Sequence, residues 1–244
     1  MKSESRIYGT QTKINTENVH AFYESRFSTE NPLASVMMRA NPDDGIAELR
    51  NQNEMQVLSS LLDLSQSYRI FDVGCGLGRW AGNLADSIAL YDGIDFTQNY
   101  VTEARKLFPG AENVRFTQMS ATDIQVDQLH PPYDLVIING LCVYLNDEDL
   151  QPLFEAVASM VSPNPQIYFR ESISIMESRL TLKDFPSEEL AVDYNAVYRT
   201  AQEYETFFQK HLPDFQIQQT DLLLTKELGA REETNQRFWL LKSK

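Results

Sequence analysis

The stretch Ile70-Phe71-Asp72-Val73-Gly74-Cys75-Gly76-Leu77-Gly78-Arg79-Trp80 decides how this chain is read. An apolar strand runs straight into three alternating glycines and then into a helix-forming segment. A tight strand-to-helix turn favours positive φ, and a missing Cβ lets a ligand rest against backbone, so glycine suits both needs. About twenty residues after the first glycine, the next apolar run ends in Gly93-Ile94-Asp95; a carboxylate there is placed to accept hydrogen bonds from both hydroxyls of a ribose. The plainer alternative is a turn that only packs closely, with Asp95 capping the helix that follows.

Beyond this turn the texture repeats in both directions. Apolar runs at 69–73, 90–95, 114–118, 133–139, 166–170, 215–224 and 237–242 read as strands. Helical stretches at 79–87, 99–108, 147–161 and 201–211 separate most of them. Such alternation predicts an α/β fold with a seven-stranded, mostly parallel sheet and helices on both faces. No helix fits between the last two strands, so the final strand runs antiparallel through a connection at 225–233. Residues 1–66 show no strand of this pattern and read as an N-terminal helical lid, with helices at 18–27 and 43–62. Residues 67–244 form the main domain, interrupted after the fifth strand by an insertion at 171–200 whose length suits an acceptor-binding segment.

Composition narrows the function classes. Thirty-five acidic against 21 basic residues leave a net charge of -14; such a surface repels phosphate backbones and anionic membrane faces, so neither nucleic acid nor membrane is expected as partner. No apolar run approaches a membrane span, and the polar N-terminus lacks a signal-peptide core, which points to a cytoplasmic protein. Two cysteines and three dispersed histidines offer no metal-ligand spacing, and no metal is expected.

Asp72-Val73-Gly74-Cys75-Gly76-Leu77-Gly78 resembles the first motif of class I S-adenosylmethionine-dependent methyltransferases, which have a Rossmann-like fold. Gly93-Ile94-Asp95-Phe96 is similar to their second motif, and the run from Tyr133 to Gly140 to their fourth-strand motif. The resemblance covers roughly 68–242 apart from the insertion. It implies S-adenosylmethionine as cofactor and a small-molecule acceptor, and it leaves a homodimer open. Carried over, it sets backbone around Gly74, Cys75, Gly76 and Gly78 against the methionyl part, with Asp72 near its ammonium and Arg79 near its carboxylate. Asp95 would hold the ribose, Phe96 would cover adenine, and Asn139 and Gly140 would lie beside the sulfonium. The loop Ser120-Ala121-Thr122-Asp123 departs from the pattern, with serine where an acid contacting adenine aligns; Ser120, Thr122 or a shifted Asp123 takes that role.

A nicotinamide-dinucleotide oxidoreductase is the rival for the same residues. Its fingerprint is G-x-G-x-x-G, whereas Gly74-x-Gly76-x-Gly78 is one residue shorter and Gly82 falls too late. A non-catalytic cofactor-binding module is the third reading. Transfer to a hydroxyl benefits from a general base, and three candidates present themselves: Glu171 at the end of the fifth strand, His20 in the first helix and Tyr144 after the fourth strand. Each has a plain alternative, as salt-bridge partner, surface residue or core packing. Tyr23, Arg26, Tyr194, Tyr198 and Arg199 are the expected acceptor contacts. Tyr198-Arg199-Thr200 resembles small bacterial methyltransferases of polar metabolites, which makes a sugar the leading acceptor.

Overall fold

In the computed structural model the elements run β1 (Arg6–Tyr8), α1 (Thr16–Arg26), α2 (Ile46–Leu61), β2 (Tyr68–Val73), α3 (Arg79–Asn83), β3 (Ile88–Asp95), α4 (Gln98–Leu107), β4 (Val114–Gln118), β5 (Tyr133–Asn139), α5 (Asp147–Ser159), β6 (Val161–Ser174), β7 (Leu180–Ser187), β8 (Val192–Tyr198), α6 (Ala201–His211), β9 (Phe215–Leu222) and β10 (Thr234–Ser243). The structure describes residues 5–26, 45–187, 190 and 192–244.

Seven strands form one sheet in the order β4-β3-β2-β5-β6-β10-β9. The first five are mutually parallel, and β10 lies antiparallel between β6 and β9. This is the Rossmann-like sheet expected from the alternation. Residues of β2 and β5 alternate between its two faces. Phe71, Val73, Val136 and Ile138 pack with Leu153 and Phe154 of α5 and Tyr204 and Phe208 of α6. Ile70, Leu135 and Ile137 pack with Leu58 of α2, Trp80 of α3 and Val101 of α4. Strands buried on both faces explain why these runs read as continuously apolar.

Local chemistry sets the boundaries. Thr200 starts α6 with a capping box: its hydroxyl accepts from Glu203 N at 3.2 Å, and the Glu203 carboxylate accepts from Thr200 N at 2.9 Å. Gly78 has φ +75°, and a Cβ there would meet the Phe116 ring at 2.5 Å. Gly78→Ala therefore forces both an unfavourable backbone region and an overpacked core. A loss of about 3 kcal/mol is expected, read as a lower urea midpoint; an unchanged midpoint would mean that the turn has room it does not show.

Two features differ from the sequence reading. The fifth strand continues past residue 170 to Ser174, because β10 keeps pairing with it as far as Ser174↔Thr234. The rest of the insertion is an antiparallel hairpin, β7 with β8, and β1 adds a third strand through Ile7↔Thr181. The N-terminal segment thus carries a strand as well as helices. Three residues are too few to show a period of two.

Candidate functional site

The carboxyl ends of β2, β3, β4 and β5 open into a cavity of about 560 Å³, whose floor includes Gly74, Gly76, Asp95, Phe96, Asn139 and Gly140. The glycine turn folds as it does because Gly74, Gly76 and Gly78 all have positive φ. Gly74 N and Cys75 N both donate to Ile94 O, at 2.8 and 2.9 Å. Asp95 ends β3 against this turn: Oδ2 accepts from Gly76 N at 3.0 Å and Oδ1 from Thr97 N at 2.8 Å. Burial pushes its pKa above the usual aspartate range despite those donors.

Helix α1 supplies the roof. The His20 ring lies tilted against Phe96 with centroids 4.6 Å apart, and both line the cavity. Ser120, Ala121 and Thr122 form another wall; the Ser120 and Thr122 hydroxyls lie 2.9 Å apart. Asp123 is not part of the lining, and its carboxylate accepts from Gln125 at 2.7 Å.

A second cavity of about 230 Å³ adjoins the first, and Tyr23, Gly74, Asn139, Gly140 and Tyr144 line both. Asp72, Cys75 and Arg79 face this second space, as do Tyr194 and Tyr198 from the hairpin and Arg6 from β1. Asp72 accepts from the Tyr91 hydroxyl, and burial pushes its carboxyl up to about 7. The Cys75 thiol is pushed up by the same cause. Tyr144 and Tyr194 share a hydrogen bond of 2.9 Å, and the Tyr23 ring meets Tyr144 edge-on at 5.2 Å. Burial raises the pKa of all three phenols, holding them protonated.

Glu171, Arg199 and Gly78 lie off both cavities, the last because its missing Cβ makes room for the Phe116 ring instead of a ligand. Side chains alternate along β6, so Arg170 and Ser172 face the second cavity and Glu171 points to the opposite side of the sheet. Fully buried there, it accepts from Cys142 N at 2.6 Å and Ser172 N at 2.8 Å, and desolvation pushes its pKa up to about 7. It braces the turn after β5 instead of meeting an acceptor. Arg199 is also fully buried and off both cavities: Nε donates to Asp147 at 2.7 Å, Nη1 to Cys142 O at 2.7 Å and Nη2 to Leu145 O at 2.8 Å. Its role is to tie β8 to the start of α5. Arg26 closes α1, and its side chain lies outside the described residues.

Sequence reasoning missed Glu54 and Arg170. Glu54, on α2, is buried and forms ion pairs of 2.9 Å with both Arg79 and Arg170. It also accepts from Asn139 Nδ2 at 3.0 Å. The available signal was helical spacing: Ala47, Glu54 and Leu58 fall on one buried face, where an acid demands a cation. Arg79 also donates to Asn51 at 2.9 Å and lies over the Trp80 ring, so much of its hydrogen-bonding capacity is spent inside the protein.

Among the described residues no cluster of His, Cys, Asp and Glu fits a metal ion, and no helix is long and apolar enough to cross a membrane. The arrangement is a nucleoside-sized cavity joined to a smaller polar one through a shared wall, which suits group transfer between two bound molecules.

Comparison with known proteins agrees with this geometry. A methyltransferase-domain family model matches residues 70–164. Phosphoethanolamine N-methyltransferase 1 of Zea mays is 28% identical over 152 residues, covering 62% of this chain and 29% of the relative. The chain thus spans under a third of the length of that curated relative. Among solved structures, a SAM-dependent methyltransferase from Leishmania major superposes with a TM-score of 0.70 at 18% identity, covering 93% of this chain and 82% of that one. Phosphoethanolamine N-methyltransferase 1 of Haemonchus contortus, in complex with phosphoethanolamine and S-adenosylhomocysteine, gives 0.71 at 19% identity, with 93% and 48% covered.

Proposed function

We propose that this chain, a class I methyltransferase by its fold and its methyltransferase domain, transfers a methyl group from S-adenosylmethionine to a nitrogen or oxygen of a small polar acceptor. The observation that carries this reading is the pair of joined cavities. The larger one offers an acid, Asp95, and an aromatic, Phe96, beside a turn of bare backbone at Gly74 and Gly76. Those groups fit a ribose, an adenine face and an aminoacyl tail respectively. S-adenosylmethionine supplies a methyl group already activated by its sulfonium charge. The protein's task is to align the acceptor and exclude water. Helix α1 serves the second purpose through His20 and Tyr23, and Asn139 and Gly140 stand at the wall between the two spaces.

The second cavity is where the acceptor would lie, with the hairpin residues Tyr194 and Tyr198 on one side and Arg170 on another. Sugar-derived metabolites are among the acceptors that such a polar surface suits, and the relatives named for phosphoethanolamine add small amino phosphates. Calorimetric titration tests the donor half directly. S-adenosylhomocysteine should bind with one-to-one stoichiometry and NAD should not; NAD binding with no response to S-adenosylhomocysteine would overturn the reading.

A further inference from the structure

Asn139 ends β5 and lines both cavities, and its side-chain oxygen carries an unmet demand. Nδ2 donates to Glu54 Oε1 at 3.0 Å. Arg79 and Arg170 hold Glu54 ionised, with its pKa lowered to about 2, so its oxygens only accept. The amide orientation is therefore forced: NH2 toward Glu54, Oδ1 away from it. Oδ1 is buried and has no hydrogen-bond partner. A buried acceptor without a donor is costly, and of the atoms in that state this one belongs to a residue shared by the two cavities.

We infer that Asn139 Oδ1, oriented by Glu54, accepts the N–H of an acceptor amine at the junction of the two cavities, so that this chain methylates nitrogen. The inference rests on the methyl-transfer reading above. An amide oxygen takes a hydrogen bond but not a proton near neutral pH, so it orients a nucleophile without deprotonating it. A neutral amine needs no more than that, once the ammonium form has given one proton to bulk water. Its lone pair forms the N–C bond, the C–S bond pair stays with sulfur, and the proton on the product nitrogen leaves to water. A hydroxyl would need a base as well, and Asn139 Oδ1 is not one. Glu171 faces the other side of the sheet, and the Tyr23, Tyr144 and Tyr194 phenols are held protonated. Asp72 faces the second cavity and accepts from the Tyr91 hydroxyl. Glu54 is thus a positioning residue that acts through Asn139.

The test uses the full chain and matched acceptors: phosphoethanolamine with 2-hydroxyethyl phosphate, and glucosamine 6-phosphate with glucose 6-phosphate. The inference expects methylation of at least one amine, at nitrogen by NMR, and of neither hydroxyl counterpart. Asn139→Ala should lower kcat/KM for that amine about a hundredfold and weaken its calorimetric binding to the S-adenosylhomocysteine complex. Affinity for S-adenosylhomocysteine itself should stay within about threefold, because the lost bond belongs to the acceptor. Methylation of a hydroxyl counterpart, full turnover by Asn139→Ala, or loss of S-adenosylhomocysteine binding in that variant would each overturn the inference. So would a wild-type protein that binds S-adenosylhomocysteine and methylates neither amine. A wild-type protein that does not bind S-adenosylhomocysteine would instead sink the methyl-transfer reading beneath it.

Discussion

Asp95→Ala is expected to weaken S-adenosylhomocysteine binding about a hundredfold. Asp95 already accepts one backbone N–H on each oxygen, from Thr97 on Oδ1 and Gly76 on Oδ2. A carboxylate oxygen has a second lone pair, so both remain able to accept a ribose hydroxyl. A hydrogen bond to a charged group contributes about 1.5–3 kcal/mol, and two that share one carboxylate do not add fully. A net loss of roughly 3 kcal/mol corresponds to about two decades of affinity. The same substitution frees Gly76 N from its partner, so part of the loss could come from a slackened glycine turn. Asp95→Asn keeps one accepting oxygen at nearly the same volume but turns its NH2 toward the N–H of Gly76 or Thr97, so it disturbs the turn as well. An intermediate loss of about tenfold for asparagine fits a ribose contact that keeps one of its two accepting positions. Unchanged affinity in the alanine variant would put the nucleoside somewhere else.

How much of this was legible in the sequence follows from the range of the interactions involved. The glycine turn, the acid ending β3 and the strand at 133–139 are local patterns, each written in adjacent residues. They lie together because a parallel sheet brings its strand ends to one edge. Glu171 shows where that logic stops. It sits one position from Arg170, and alternation along β6 sends one side chain to the cavity and the other to the far face; a shift of a single residue reverses the outcome. Arg199 had the charge of a ligand contact, but its partners, Asp147 and the carbonyls of Cys142 and Leu145, lie more than fifty residues away in the chain. The three-residue β1 and its pairing with β7 left no period to read.

Glu54 is the furthest extension of this long-range logic, and Glu54→Gln is expected to cost about 3–5 kcal/mol at neutral pH. One buried carboxylate from α2 neutralises Arg79, at the head of α3, and Arg170, in β6; the side chains of both arginines are only 10% exposed. Burial alone would raise its pKa. The two guanidinium groups outweigh that and bring it down to about 2. Glutamine keeps the volume but leaves two largely buried cations without a counter-charge, a large fraction of a typical stability of about 5–15 kcal/mol. The pH dependence has a definite sign. A carboxylate whose folded pKa lies below its unfolded value of 4.5 stabilises fully above 4.5, and that contribution is lost as pH falls toward 2. Urea unfolding of the wild type and Glu54→Gln should therefore differ most at pH 7 and converge toward pH 2. A companion variant, Glu54→Met with Arg79→Leu and Arg170→Leu, removes all three charges and should regain much of the lost stability. It should not regain turnover, because Arg170 faces the acceptor cavity and Asn139 would no longer be oriented. Equal midpoints for wild type and Glu54→Gln at pH 7 would mean that water, and not Glu54, balances the two arginines.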